Sequence, residues 1–279
     1  KKNYFNQRMY KLNQNMYSKL EILNLIINYF GAKAYRQVSN EKILNLIKCF
    51  KPIKTQFNLK RIGDKNDGGY LIPDIINDIK YCVSGGVGHT NEFELQLEKF
   101  GIKSFLADYS VGEPKDLHNF SFEKKFLASY NNLDTININS WIKSFGDEFE
   151  PEKSILKLDI EKSEYEVINS IDEDILKKFK ILIIEFHGLE MIGEESFYQK
   201  LFSVKSKILK NFLTVHIHPN NCCGIHKVRK FKVPSVLEVT YLNKTIGNKV
   251  NEPCYLPHKL DAKNKLKYKD IFLPDYWIN

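Results

Sequence analysis

The segment CVSGGVGHTNEFELQLEKFG, residues 82–101, leads a short apolar run into a cluster of glycines and then into a helical periodicity. That order reads as strand, tight turn and amphipathic helix. Glycine suits the turn because the backbone must bend sharply and come close to a ligand, while the helix after it opens with unpaired N–H groups. The dinucleotide pattern G-x-G-x-x-G, begun at Gly86, needs a third glycine at position 91, and the residue there is Asn91. Asp108 follows Gly88 by ~20 residues, the interval at which an acid ending the second strand meets ribose hydroxyls. An adenosine moiety therefore fits this unit better than a pyrophosphate. Glycine turns and strand-ending acids also occur as plain turns and caps. The spacing between the two favours a ligand.

Outward from this unit, short apolar runs alternate with helical segments, the mark of βαβ units and a largely parallel sheet. Strands are predicted at 70–72, 80–86, 104–110, 155–160, 181–187, 213–218 and 235–242, with helices over 91–101, 139–145, 163–171 and 194–209. The fold expected is α/β and Rossmann-like, a mostly parallel seven-stranded sheet with helices on both faces. Residues 1–55 read as a helical N-terminal extension, with periodicity in MYSKLEILNLIINYF (16–30) and again in EKILNLIKCF (41–50) behind a Ser39–Asn40 cap signal. Pro52 closes it, and 56–279 form the main domain.

The 279 residues are 43% apolar and 27% charged, ordinary for a globular chain able to bury a sizeable core. No apolar run is long enough to span a bilayer, and no signal peptide is read. Five cysteines do not make a disulfide framework, so a reducing, cytoplasmic setting is expected. The net charge of +8 comes largely from lysines spread along the chain, densest at 205–210, 227–232 and 259–269, and such runs read as solvated faces. An anionic small molecule suits that charge, and no nucleic-acid motif is present.

Polar groups recur where the predicted strands end: Asp108, Asp159, Glu185 with His187, and His216 with His218. In ILKLDIEKSEYEVI (155–168) a core-like strand releases Asp159, Glu161, Glu164 and Glu166. Two readings stand for these acids. They favour the positive start and solvated face of the next helix, or they face a ligand at the carboxyl end of a central strand. Asp159 and Glu161 are assigned to a site, Glu164 and Glu166 to a solvated helix.

Several stretches in order from Arg61 to Leu242 resemble the FkbM-type family of S-adenosylmethionine-dependent methyltransferases: RIGDKNDGGYLIP, VSGGVGHTNEFE, FLADYS, ILKLDIEKSEYEVI, LIIEFHGLE, HIHPNNCCG and PSVLEVTYL. The resemblance implies seven strands, the last antiparallel, with S-adenosylmethionine across the carboxyl ends of the first. It implies Gly85, Gly86 and Gly88 at the methionine part, Asp108 at the ribose, and Tyr109 and Ser110 beside the adenine. The loop Asp67 to Tyr70 matches an element expected near cofactor or acceptor, with Asp67 and Tyr70 as its cofactor candidates. Asp159 and Glu161 match the D-I-E of a D-I-E-G-x-E element, and Lys162 stands where the family usually has glycine.

Methyl transfer to a hydroxyl needs alignment, removal of the acceptor proton and a dry pocket. His187 is the candidate base, on the same strand face as Glu185 two residues before it. A divalent metal on Asp159, Glu185 and His216 is the other route to an acidified hydroxyl. His218, Asn220 and Asn221 are candidates for hydrogen bonding a small-molecule or glycan acceptor, against a plainer reading as strand-end histidines and a cap with Cys222 and Cys223 as packing residues. Zinc is not expected without a C-x-x-C spacing. Glu238, charged within an apolar strand, is expected to pair with a lysine or to complete the acid cluster, the first being favoured. The function expected is O-methylation of a carbohydrate hydroxyl in glycan or surface-polysaccharide modification. A nicotinamide-dependent sugar oxidoreductase and a non-catalytic nucleoside-binding module are the alternatives.

Overall fold

The computed structural model describes residues 36–88 and 90–278. The periodic stretch 16–30 lies outside them. Helix α1 (Asn40–Lys48) begins at Ser39, whose hydroxyl accepts from the Lys42 amide, and buries Ile43, Leu46 and Ile47. These side chains join the main core, so α1 packs against the α/β body.

Strands β1 (Leu59–Gly63) and β2 (Gly69–Pro73) form an antiparallel pair of their own. The chain then builds β3 (Tyr81–Gly85), helix α2 (Glu92–Glu98), β4 (Lys103–Ala107), β5 (Phe120–Glu123), β6 (Phe126–Ala128) and β7 (Thr135–Asn137). Helix α3 (Ile138–Lys143), β8 (Ser154–Leu158), helices α4 (Glu164–Ser170) and α5 (Glu173–Leu176), β9 (Ile181–His187) and helix α6 (Glu195–Asn211) follow. The described chain closes its strands with β10 (Phe212–Pro219), β11 (Ile225–Val228), β12 (Phe231–Pro234) and β13 (Val236–Asn243).

Seven strands form one mixed sheet in the order β10-β13-β9-β8-β3-β4-β5. All neighbours are parallel except β13, which runs antiparallel to both β9 and β10. The expected count of seven is met with a different membership. Residues 70–72 lie in β2, outside this sheet, and the edge place goes to β5, whose short, partly exposed FSFE pattern carries little strand signal.

Successive residues of the central strands point to opposite faces and fill two cores. Val83, Leu156, Leu182 and Ile184 pack with α1, α3, α4 and α6, whereas Cys82, Ile155, Ile181 and Ile183 pack with α2 and the β1–β2 hairpin. Because β8 and β9 are covered on both faces, they are buried at every position and their polar residues must find partners or end at a cavity. Among the described residues, no helix is long and apolar enough to cross a membrane.

Candidate active site

A cleft of about 630 Å³ opens over the carboxyl ends of β3, β4, β8 and β9. At one end lies the glycine turn. Gly86 takes φ 76°, and a Cβ built on it would stand 1.7 Å from the Asp159 carbonyl oxygen, so only glycine lets the ends of β3 and β8 meet this closely. Gly88, at φ 64°, has the opposite surroundings: a Cβ there would meet no heavy atom within 4 Å.

Asp108, at the end of β4, ties this turn down. Its Oδ2 accepts from the Val87 and Gly88 amides at 2.9 and 3.0 Å, and its Oδ1 from the Ser110 amide and hydroxyl at 2.7 and 2.6 Å. Burial opposes the charge, yet the donors of Ser110, Gly88 and Val87 outweigh it and hold the carboxyl below its usual range. Beneath the turn, Lys157 is buried between strands. Its Nζ donates to the Gly86 carbonyl at 3.1 Å and lies 3.4 Å from Glu94, which accepts the Ser84 hydroxyl at 2.6 Å.

The other end gathers ionisable groups. Asp159 follows β8, Glu185 and His187 end β9, and one ligand atom from each lies within 4.8 Å of the other two. Tyr70 donates its hydroxyl to Asp159 at 3.2 Å, and Asn220 donates to Glu185 at 2.9 Å. Glu185 is pushed well above the usual carboxyl range, first by burial and then by the charges of Asp159 and Glu238.

His187 is clamped from helix α4. The carboxylate of Glu164 accepts its backbone N–H at 2.8 Å and stands 3.5 Å from Nδ1, while the Tyr165 hydroxyl donates to its carbonyl at 2.7 Å. Nε2 therefore turns into the cleft, 3.6 Å from Glu161 and 3.9 Å from Asp159. Burial works against the charged ring, and Glu164, Asp159 and Glu161 overcome it, raising the His187 pKa above 6.5.

A second ionisable group lies behind the first. Cross-strand register sets Glu185 opposite Glu238 and Glu238 opposite His218. Burial raises Glu238 to about 7 despite His218 and Asn264 beside it. For His218, burial works against the charged ring, but the Asp261 carboxylate 3.7 Å from Nδ1 and the charge of Glu238 outweigh it and lift the pKa to about 9. Asn264 joins the row, donating to Glu238 at 2.5 Å and to Asp67 at 3.2 Å and meeting the His218 ring at 3.1 Å.

Placed against the sequence expectations, Gly86, Gly88, Asp108, Ser110, Asp67, Tyr70, Asp159, Glu161, Glu185, His187 and Asn220 all line the one cleft. Gly85 sits just behind it, where a Cβ would strike Leu127 at 2.3 Å. Tyr109 is not part of the wall. It packs at 4.9 Å, centroid to centroid, against Phe126, which takes that place. His216 does not join Asp159 and Glu185. It lies on β10 with β13 between it and β9, and its Nε2 is 3.0 Å from Asp261, so His187 completes the trio instead. His218 and Asn221 also turn from the cleft, the latter to backbone groups of Lys265 and Tyr268. Glu238 meets an asparagine and a histidine, not a lysine. Cys222 and Cys223 pair through a disulfide at the cleft wall instead of standing as separate packing thiols.

Glu164 departs from its expected place on a solvated helix. It is fully buried, whereas Glu166 is the solvated acid expected of both. A signal was present, because Glu164 is the last acid of the D-I-E-G-x-E spacing. Lys157 carried one too, since a lysine within a strand buried on both faces must have a buried partner.

The region holding both ends of this cleft has a recognisable relative. Residues 73–206 match the methyltransferase FkbM domain. This match supports a methyltransferase, with the cleft formed mainly by the matched residues. It takes in the glycine turn, Asp108, the D-I-E element, Glu164 and His187, and stops before Asn220, Glu238 and the C-terminal segment. No curated protein matches the chain.

Proposed function

We propose that the chain is an S-adenosylmethionine-dependent O-methyltransferase whose acceptor is a carbohydrate hydroxyl, in a glycan precursor or surface polysaccharide. The observation that carries this reading is His187, gripped by Glu164 with Nε2 facing Asp159 and Glu161 in the cleft. When bound, S-adenosylmethionine supplies a methyl group on an electrophilic sulfonium. The residues fit it: Gly88 leaves open space on the cleft side, an acid ends the next strand, and Phe126 offers an apolar wall for a base. Gly86 and Gly88 would flank the methionine part, Asp108 would face the ribose and Ser110 would lie beside the base, with Gly85 supporting the turn from behind.

His187 removes the acceptor proton. Its Nε2 takes the hydroxyl hydrogen, and Glu164 beside Nδ1 stabilises the imidazolium that results. Asp159 and Glu161, on the Nε2 side, orient the acceptor and favour the same charge. Asn220 and Asp67 supply hydrogen-bonding groups suited to sugar hydroxyls, and the resemblance supports the carbohydrate itself. Titration calorimetry with S-adenosylhomocysteine and with NAD tests the cofactor: binding of the first alone is expected, and binding of NAD alone would overturn the reading.

A second reading rests on the convergence of Asp159, Glu185 and His187. A divalent cation held by these three would offset the Asp159–Glu185 repulsion and acidify an acceptor hydroxyl. Turnover that survives a chelator excludes it in favour of His187 acting as the base.

A further inference from the structure

The C-terminal segment reaches the cleft through Lys265 on one side and presents an exposed basic, apolar surface on the other. Of twelve large apolar side chains exposed among the described residues, five fall within 255–272. Leu266 is 75% exposed, on a turn whose backbone is tied by hydrogen bonds. Asn221 accepts from the Lys265 amide at 2.8 Å and donates to the Lys265 carbonyl at 3.0 Å, and the Tyr268 amide closes the turn onto that carbonyl at 3.1 Å. The six consecutive residues 265–270, KLKYKD, are all exposed.

Five lysines lie within 259–270 against two acids: Asp261, which is buried on His216 and His218, and Asp270, which is exposed at the end of the run, so the lysines remain in excess. Lysines around a projecting leucine and tyrosine complement one environment well: anionic headgroups above an acyl layer. A merely solvated run would not need its apolar side chains fixed outward on a turn. We propose that this turn docks the protein on the surface of an anionic lipid bilayer, with Leu266 and Tyr268 entering the interface and Lys267 and Lys269 meeting the headgroups.

Lys265 belongs both to this turn and to the cleft wall, where its Nζ pairs with Asp67 at 2.6 Å. Docking therefore brings the cleft mouth to the bilayer. If the methyltransferase reading holds, and only then, the acceptor class it selects is a glycan carried on a lipid.

The test is co-sedimentation of the full chain with vesicles of phosphatidylcholine alone or with about 30% phosphatidylserine, at about 0.1 M salt. Binding is expected only with phosphatidylserine. Leu266→Ser with Lys267→Glu should weaken it about tenfold or more without changing thermal stability. Lys227→Glu with Lys230→Glu, on the β11–β12 hairpin, removes more charge and should change it less than about twofold. Absence of binding, equal binding to the uncharged vesicles, an unaffected turn variant, or an equal loss in the hairpin control would each overturn the proposal. So would binding to RNA in place of vesicles. None of these outcomes depends on methyl transfer.

Discussion

Glu164 grips His187 twice, through the backbone N–H at 2.8 Å and across 3.5 Å to Nδ1. Glutamine at 164 keeps the first contact and loses the charge of the second. Glu164→Gln is expected to lower kcat about 10- to 100-fold with little change in cofactor affinity, and His187→Ala about 100-fold or more. Equal kcat for wild type and Glu164→Gln would remove Glu164 from the proton path.

The pH profile follows from the same contact. A base must be neutral to act, and His187 is held above 6.5, so kcat/KM should rise with pH with its midpoint above that value. Glu164→Gln removes the first of the carboxylates that raise it, and the midpoint should fall. A midpoint that stays in place would show that another group is being titrated.

At the cofactor end, Asp108→Asn exchanges an oxygen that accepts from two turn amides or from Ser110 for an amide that repels those donors. Affinity for S-adenosylhomocysteine should fall by about 10-fold or more, from roughly 1–3 kcal/mol of lost charged hydrogen bonding. Calorimetry reads this directly, and an unchanged Kd would refute the ribose assignment.

For the metal reading, thermal shift with Mg²⁺ or Mn²⁺ distinguishes the ligand sets. Any stabilisation by the ion should vanish in Glu185→Gln and persist in His216→Ala, because His216 is held at Asp261. The reverse pattern would restore His216 as a ligand.

Lys205 supplies a stability test away from the cleft. Its Nζ is buried 2.8 Å from the Tyr241 hydroxyl and 4.0 Å from the Phe50 ring centroid. The rings favour the ammonium, but burial wins and the pKa falls from 10.5 to about 7. The unfolded chain then binds the extra proton between those values, so the cost is full below pH 7 and fades as pH rises toward 10.5. Lys205→Met should stabilise at pH 7 by a few kcal/mol, with the advantage shrinking by pH 10, as followed by denaturant unfolding. An advantage independent of pH would mean that the lysine is charged in the fold.

Much of this arrangement was legible in the sequence because it is local. The glycine turn, Asp108 and the strand-end pairs Asp159 with Glu161 and Glu185 with His187 follow from spacing along one or two elements. What escaped depends on which strands become neighbours. Inserting β13 between β9 and β10 separates His216 from Glu185, and no periodicity within HIHPNN encodes that order. The packing of α4 against β9 turns Glu164 inward, where its position in the first helical turn alone suggested solvent. Asp261 and Asn264 lie in a stretch without regular periodicity, so their seating on β10 and β13 could only be found in three dimensions.

One carboxamide, that of Asn264, touches Asp67, Glu238 and the ring of His218 at once, and it is carried by a segment beyond the last strand. Trimming the protein back to the end of its β-sheet for recombinant work would therefore strip a side of the reaction chamber and leave Glu238 facing water. A shortened product that stayed soluble but inert would be reporting the loss of that closure, not a defect in folding.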